Sequence, residues 1–277
     1  MKILLLGSTG YLGEQFLKLY PEVITPKIDI ADRAAVIAVL EKEKPDVIIN
    51  CAGKTGRPNV DWCETHKEET LRANVTGPLI LLEECLSRGL YLVHMSSGCI
   101  YEGDKGSKGE KGGGHTEEDP PNFTGSFYSR TKGWSDQIMR DFPVLNLRLR
   151  MPFDGSRSDR NLIMKLTKYQ KVLETENSLT YLPDFLDAAG KLIAKKKTGT
   201  FNVVNEGVIS PYRVMELYKE IVDPGHRLER LTLDHLSDVV KAGRSNCTLN
   251  TDKLRKEGIR LRAVEAAVRD ALEQLKQ

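Results

Sequence analysis

The chain has 277 residues, 40% of them apolar and 29% charged, with a net charge of +2. That length supports one large or two small domains with a sizeable core. The small net charge makes no case for a nucleic acid or an anionic membrane as partner, and no apolar run reaches the ~18 residues of a membrane span. The five cysteines (Cys51, Cys63, Cys85, Cys99, Cys247) are scattered and odd in number. They indicate neither a disulfide framework nor a metal site, and a reducing, cytoplasmic setting is expected.

Lys2–Leu6 is a continuous apolar run, as suits a strand buried on both faces of a parallel sheet. Gly7-Ser8-Thr9-Gly10-Tyr11-Leu12-Gly13 follows at once, then a helical pattern to about Tyr20. Strand, glycine turn and helix together make a dinucleotide diphosphate site. The glycines permit the turn and close backbone approach, and the helix N-terminus favours the anion. A second strand is expected at Glu22–Thr25. Its end carries Thr25-Pro26-Lys27 and no acid for a ribose 2′-hydroxyl. That favours NADPH over NADH, with Lys27 near the 2′-phosphate; a plain surface lysine is the alternative. Asp29 and Ile30 are expected beside the adenine.

Asp32–Lys44 reads as a helix, and Asp46–Asn50 as a third strand ending in Cys51-Ala52-Gly53, small enough for a cofactor to approach. Gly56–Glu64 is a polar loop at a strand C-terminal end, where open α/β sheets bind ligands. It offers Arg57, Asn59 and Trp62 as substrate contacts. One long helix is expected over His66–Arg88. Asn74 within it is mildly unfavourable unless its side chain bonds a carbonyl or a water near the site. Tyr91–Met95 is the fourth strand and runs into Ser97. The segment Glu102–Asp119 holds six glycines between Gly103 and Gly114 and reads as a mobile loop. Pro120–Phe127 leads into a helix carrying Tyr128 and Lys132, one turn apart on one face. A free phenol has a pKa of about 10, and a neighbouring ammonium lowers it. Pro143–Leu149 is the fifth strand.

Beyond Arg150, helices are expected at Asn161–Lys171 and Phe185–Lys197, short strands at Leu179–Leu182 and Gly199–Val204, a capped helix start at Ser210-Pro211, and a last helix over about Arg262–Gln277. The fold class is α/β: a Rossmann doubly wound parallel sheet with a smaller mixed C-terminal lobe. Residues 1–150 are the NADP-binding domain, 180–204 return to the sheet, and 151–277 are mostly a substrate-binding lobe.

The glycine turn, Ser97 after the fourth strand, and Tyr128-x-x-x-Lys132 on the next helix resemble the extended short-chain dehydrogenase/reductase superfamily. The resemblance implies that Ser97 hydrogen-bonds the substrate oxygen, Tyr128 transfers the proton, and Lys132 holds the nicotinamide ribose and lowers the phenol's pKa. Gly56–Glu64, Gly98–Tyr101, Pro121–Ser129, Arg148–Pro152 and Arg244–Asn246 are similar more narrowly to the nucleotide-rhamnose synthase/epimerase-reductases. These are the plant-type UDP-4-keto-6-deoxy-glucose 3,5-epimerase/4-reductases. The chain departs from them in the loop Glu102–Asp119 and in carrying Ser97 where plant members have Thr.

The resemblance implies a ketone at C4 that acidifies C3 and C5, with Cys99 as base and Lys165 as the acid on the opposite face. A thiol with a pKa of about 8.5 becomes a usable base beside cations. Among the second-half arginines, Arg150 and Arg244 are the preferred diphosphate ligands, and at least one of Arg148 and Arg150 is structural. Asn122, Phe123, Gly125, Ser126 and Asn161 are further substrate contacts. The implied partner is UDP-4-keto-6-deoxy-glucose, the product of an upstream 4,6-dehydratase, with UDP against dTDP left open and a homodimer expected by analogy. A reductase without epimerase activity and a non-enzymatic NADP-binding regulatory subunit are the competing readings. Neither needs both Cys99 and Lys165.

Overall fold

The computed structural model describes residues 1–105, 113–238 and 240–276. The first half runs β1 (Ile3–Leu6), α1 (Tyr11–Leu19), α2 (Arg33–Glu43), β2 (Val47–Asn50), α3 (Asp61–Thr65), α4 (Lys67–Leu71), α5 (Gly77–Arg88), β3 (Tyr91–Ser97), α6 (Phe127–Met139) and β4 (Leu145–Leu149). Then come β5 (Pro152–Phe153), α7 (Leu162–Leu166), β6 (Lys171–Leu173), β7 (Thr180–Tyr181), α8 (Leu182–Ala194), β8 (Gly199–Asn202), α9 (Pro211–Ile221), β9 (Glu229–Leu231), α10 (Asp252–Lys256) and α11 (Val264–Lys276).

Five strands form one parallel sheet in the order β1-β2-β3-β4-β8. Every residue of β1 and β2 is buried, which is why both read as unbroken apolar runs. Phe16, Phe185, Leu192 and Leu254 cover one face. Val36, Leu81 and Met139 cover the other. A separate cluster, including Phe153, Val214, Leu217, Val268 and Leu272, forms the core of the lobe, where α9 packs on α11. The fold class is the expected one.

Three expectations change. The strand at Glu22–Thr25 shrinks to one bridge, Leu4 with Ile24. Pro21 and Pro26 bracket it, and neither can donate to a ladder. The bridge lies on the side of β1 away from β2. The chain therefore leaves β1 in one direction and returns on the other side, and the glycine turn sits at that reversal. The long helix His66–Arg88 is broken: Arg72–Thr76 widens into a π-turn between α4 and α5. The helix expected over Asn161–Lys171 closes at Leu166, after which the chain turns into β6.

The loop Glu102–Asp119 is in part outside the described residues, and its described end is pinned rather than loose. His115 and Glu117 are buried. His115 N–H donates to Thr248 O, and Asn202 N–H donates to the Glu117 carboxylate. Glycine content marked the segment as loop-like and could not show these anchors 85 and 133 residues away.

Candidate active site

Gly7 has φ +75, and a Cβ there would lie 2.5 Å from Ala52 N. A Cβ on Gly13 would lie 2.2 Å from Gly7 O. The turn therefore closes backbone on backbone, and Gly10 N–H donates back to Gly7 O at 3.0 Å. No side chain caps α1, so its first N–H groups are left for another acceptor. This cradle fits a dinucleotide diphosphate. Lys27 is exposed, as a 2′-phosphate contact requires.

Other side chains assigned to the cofactor point elsewhere. Tyr11 is buried in the core, its phenol pushed up by burial and then by Asp154. Leu12 packs on that core. Ile30 is buried against Gly77. The Asp29 carboxylate is exposed and accepts from Ala31 N and from Arg72 at 2.9 Å. Thr9, Cys51, Ala52 and Gly53 line the turn and the end of β2 through backbone: Thr9 O accepts from Arg160 at 3.1 Å, and Ala52 N donates to Asn50 Oδ1.

Ser97 and Cys99 occupy the end of β3 and the short 3₁₀ turn Gly98–Ile100. Ser97 Oγ accepts from Cys99 N at 3.1 Å and shares a hydrogen bond with Tyr128. The α6 N-terminus that presents Tyr128 is closed from two sides. Ser126 Oγ accepts from Ser129 N, and Glu64 accepts from Phe127 N at 2.6 Å. Lys132, one turn on, is buried and donates to Met95 O at 2.8 Å. Burial brings its pKa down to about 8, opposed by Asp136.

The expected lowering of the phenol by Lys132 is not found. Burial, then the Cys99 sulfur, pushes Tyr128 up, opposed by the Ser97 hydrogen bond and by Arg150. One of the three Lys132 donors goes to a carbonyl of β3, and desolvation dominates at the phenol. Beneath lies a buried pair, Arg148 and Asp136, bonded at 2.6 and 2.9 Å. Burial opposes the charge on Asp136, yet Arg148, Ser96 and Asn146 hold its carboxyl below the usual range. Arg148 is structural, as one of the two arginines was expected to be.

Arg150 is buried as well, and is not a free diphosphate ligand. It donates to Asn177 Oδ1, to Ser245 Oγ and O, and to Cys99 Sγ at 3.5 Å. Arg244 pairs with Asp61 at 2.8 Å and with Ala242 O, which ties the Gly56–Glu64 loop to the lobe. Burial raises Asp61, but Arg244 and the Ala242 N–H bring its carboxyl below its ordinary value. Within the loop, Asn59 Oδ1 accepts from Asp61 N, and Trp62 stacks on His66 with centroids 3.9 Å apart. Arg57 is exposed and acts on Asp159 of the lobe.

Six more proposed substrate contacts make bonds or packing within the fold. Asn74 pairs through both side-chain atoms with Lys54 N and O, and donates to Thr131. It bonds a carbonyl, one of the two outcomes expected. Asn122 makes the equivalent pair with Glu102 N and O. Asn161 is wholly buried, donates to Asp154 and Ser156 and caps α7. Ser126 is the α6 cap. Phe123 is buried over Gly125, whose carbonyl accepts from Gly243 N at 2.8 Å.

Lys165 is half-buried on α7, its pKa lowered by burial and then by Arg160 and Lys168. Arg160 lies just before α7. The structure sets its Nη1 3.9 Å from a Cβ built on Gly10, over the glycine turn. Sequence gave no signal for that placement, which depends on how the lobe sits on α1. Gln15 of α1 also donates to Asp154 at 3.1 Å.

The family model described as the RmlD substrate binding domain matches residues 1–277. A bifunctional dTDP-4-dehydrorhamnose 3,5-epimerase/dTDP-4-dehydrorhamnose reductase of Arabidopsis thaliana is 39% identical, covering 96% of this chain and 90% of its own. A trifunctional UDP-glucose 4,6-dehydratase/UDP-4-keto-6-deoxy-D-glucose 3,5-epimerase/UDP-4-keto-L-rhamnose-reductase of that plant is 40% identical over 93% of this chain; the match spans 40% of its length. The crystal structure of a UDP-rhamnose synthase from Acanthamoeba polyphaga mimivirus superposes with a TM-score of 0.92 at 31% identity, covering 99% of each chain.

Proposed function

The chain belongs to the RmlD substrate-binding domain family, and from that premise we propose that it is an NADPH-dependent nucleotide-sugar oxidoreductase that also epimerises its substrate. The substrate in this reading is UDP-4-keto-6-deoxy-glucose, made by a 4,6-dehydratase, and the product is UDP-L-rhamnose. The observation that carries the reading is the cluster of Ser97, Cys99, Tyr128 and Arg150 at the end of β3. It puts a thiol, which simple ketone reduction does not need, beside the hydroxyl and phenol that it does need.

Ser97 and Tyr128 donate to the C4 oxygen. Cys99 takes the proton from C3 or C5, and the C–H electron pair becomes an enolate whose charge rests on that oxygen. Lys165 returns a proton to the opposite face. A lysine whose pKa is lowered is the better donor near neutrality. Gly7–Gly13 would cradle NADPH with Lys27 at its 2′-phosphate, and the bound cofactor would supply a hydride for C4. Tyr128 protonates the resulting alkoxide and recovers its proton from solvent. A phenol pushed up by burial stays protonated at neutral pH, which is the form this donation requires.

Cys99→Ser tests the epimerase half. Solvent deuterium incorporation at C3 and C5 should be abolished while NADPH still binds. Exchange at the unmodified rate would remove Cys99 from the mechanism.

The chain is also proposed to work as a homodimer. Leu71, Leu86, Trp134 and Ile138 are large apolar side chains left exposed, and all lie on α4, α5 and α6.

A further inference from the structure

Arg150 is a buried cation held by uncharged groups. It is 1% exposed. Its hydrogen bonds among the described residues go to Asn177 Oδ1, Ser245 Oγ, Ser245 O and Cys99 Sγ, and its Nε has no partner. Arg148, two residues earlier, shows the contrast: it is equally buried and sits bidentate on Asp136. Burying a charge without a counter-ion costs several kcal/mol, and the amide and hydroxyl dipoles around Arg150 offset only part of it. Those dipoles do fix its direction. Nη1 lies 3.5 Å from the Cys99 sulfur, which is partly open to solvent.

Other groups face that sulfur from the surrounding elements. Ser97 Oγ accepts from Cys99 N. Tyr128 and Lys132 approach from α6. Cys247 approaches from the lobe, with Asp104 behind it. Among these, Arg150 is the permanent charge in direct contact.

We propose that Arg150 is a positioning residue for epimerisation: it is the counter-ion of a Cys99 thiolate and aims that sulfur at the sugar. This rests on Cys99 being the base. The thiol proton passes to solvent. The thiolate lone pair then forms the S–H bond as the sugar C–H bond breaks, and the negative charge moves to the ketone oxygen held by Ser97 and Tyr128. The charge that balances Arg150 is thus the catalytic sulfur itself, which explains why no carboxylate stands beside it among the described residues.

The test uses the full chain and two readouts. The first is the rate at which iodoacetamide alkylates Cys99 at pH 7, followed by mass spectrometry of the peptide that contains it, with no substrate present. The second is C3 and C5 deuterium exchange at saturating substrate. Arg150→Gln should slow both by about tenfold or more, the scale of losing one close opposite charge. Arg150→Lys should recover most of each, with KM little changed. Because Arg150→Gln buries an unfilled polar site and its fold is at risk, Asn177→Asp is the second variant. It keeps the guanidinium and gives it a carboxylate, so it should slow alkylation and exchange as well. Alkylation of Cys99 within about twofold of the unmodified rate, in whichever of Arg150→Gln and Asn177→Asp folds, overturns the proposal. Alkylation reports on the counter-ion without any sugar. Its failure is therefore distinct from normal exchange in Cys99→Ser, which would sink the assignment of the base.

Discussion

Lys132 sits where burial and charge pull in opposite directions, and its titration gives a signed prediction. The fall from 10.5 to about 8 corresponds to roughly 3 kcal/mol. Below about 8 both folded and unfolded chains hold the proton, and the full cost of the buried ammonium is present. Between about 8 and 10.5 the unfolded chain holds a proton that the folded chain has released, so this group's contribution makes stability rise with pH. Urea unfolding of the unmodified chain and of Lys132→Met at pH 7 and pH 10 isolates it. The unmodified chain should gain up to roughly 3 kcal/mol on the variant across that window. A constant difference would show that Lys132 is not perturbed. At this scale the sequence was readable only in part. Tyr128 and Lys132 were legible because helical spacing alone sets their relation. Arg150, Arg244, Asn74, Asn122 and Asn161 were not, because a polar side chain faces a ligand or a backbone group according to which distant segment arrives beside it. For Arg150 that segment is Ser245, and for Asn122 it is Glu102.

Elements were legible where a local pattern decides them. The glycine turn is one case, since only glycine tolerates the 2.2 and 2.5 Å approaches at Gly13 and Gly7. The break in the long helix is the opposite case. The Arg72–Thr76 π-turn turns Asn74 towards Lys54, and nothing in the local sequence announces a partner 20 residues away. The segment from Asp154 to Asn161 belongs with it. It reads as a polar loop, yet it grips α1 through Gln15 and lays Arg160 across the glycine turn before entering α7. Arg160 is therefore proposed as a further cation of the diphosphate cradle. Arg160→Ala should weaken NADPH binding by about tenfold, the value of one charge-assisted hydrogen bond, as read by calorimetric titration. Unchanged affinity would leave Arg160 as a clasp between lobe and sheet only.

At the scale of the whole molecule, the sheet places the cluster proposed to be catalytic, and the lobe completes it. Arg150 lies just after β4, but its partners Asn177 and Ser245 come from the lobe, as does the Arg244 that pairs with Asp61. The class of fold was legible because buried parallel strands and the glycine turn are local signatures. The lobe was legible too, but the pairings that close it over the strand ends were not, since they join residues 27 to 183 positions apart. The exposed apolar side chains of α4, α5 and α6 lead to a further prediction at this scale. Trp134, 44% exposed, lies on the face proposed to pair with a second copy. Trp134→Glu should sediment as a monomer where the unmodified chain sediments as a dimer. A monomer in both would remove that face from any assembly.

One chain is proposed both to invert two carbons and to reduce a third. Incubating the purified protein with UDP-4-keto-6-deoxy-glucose and NADPH, and reading the product by NMR, tests it most directly. The expected product is UDP-L-rhamnose, with solvent-derived hydrogen at C3 and C5 and one NADPH consumed per sugar. Reduction to a 6-deoxyhexose that keeps the D-gluco configuration at C3 and C5, or no turnover with NADPH bound, would contradict it.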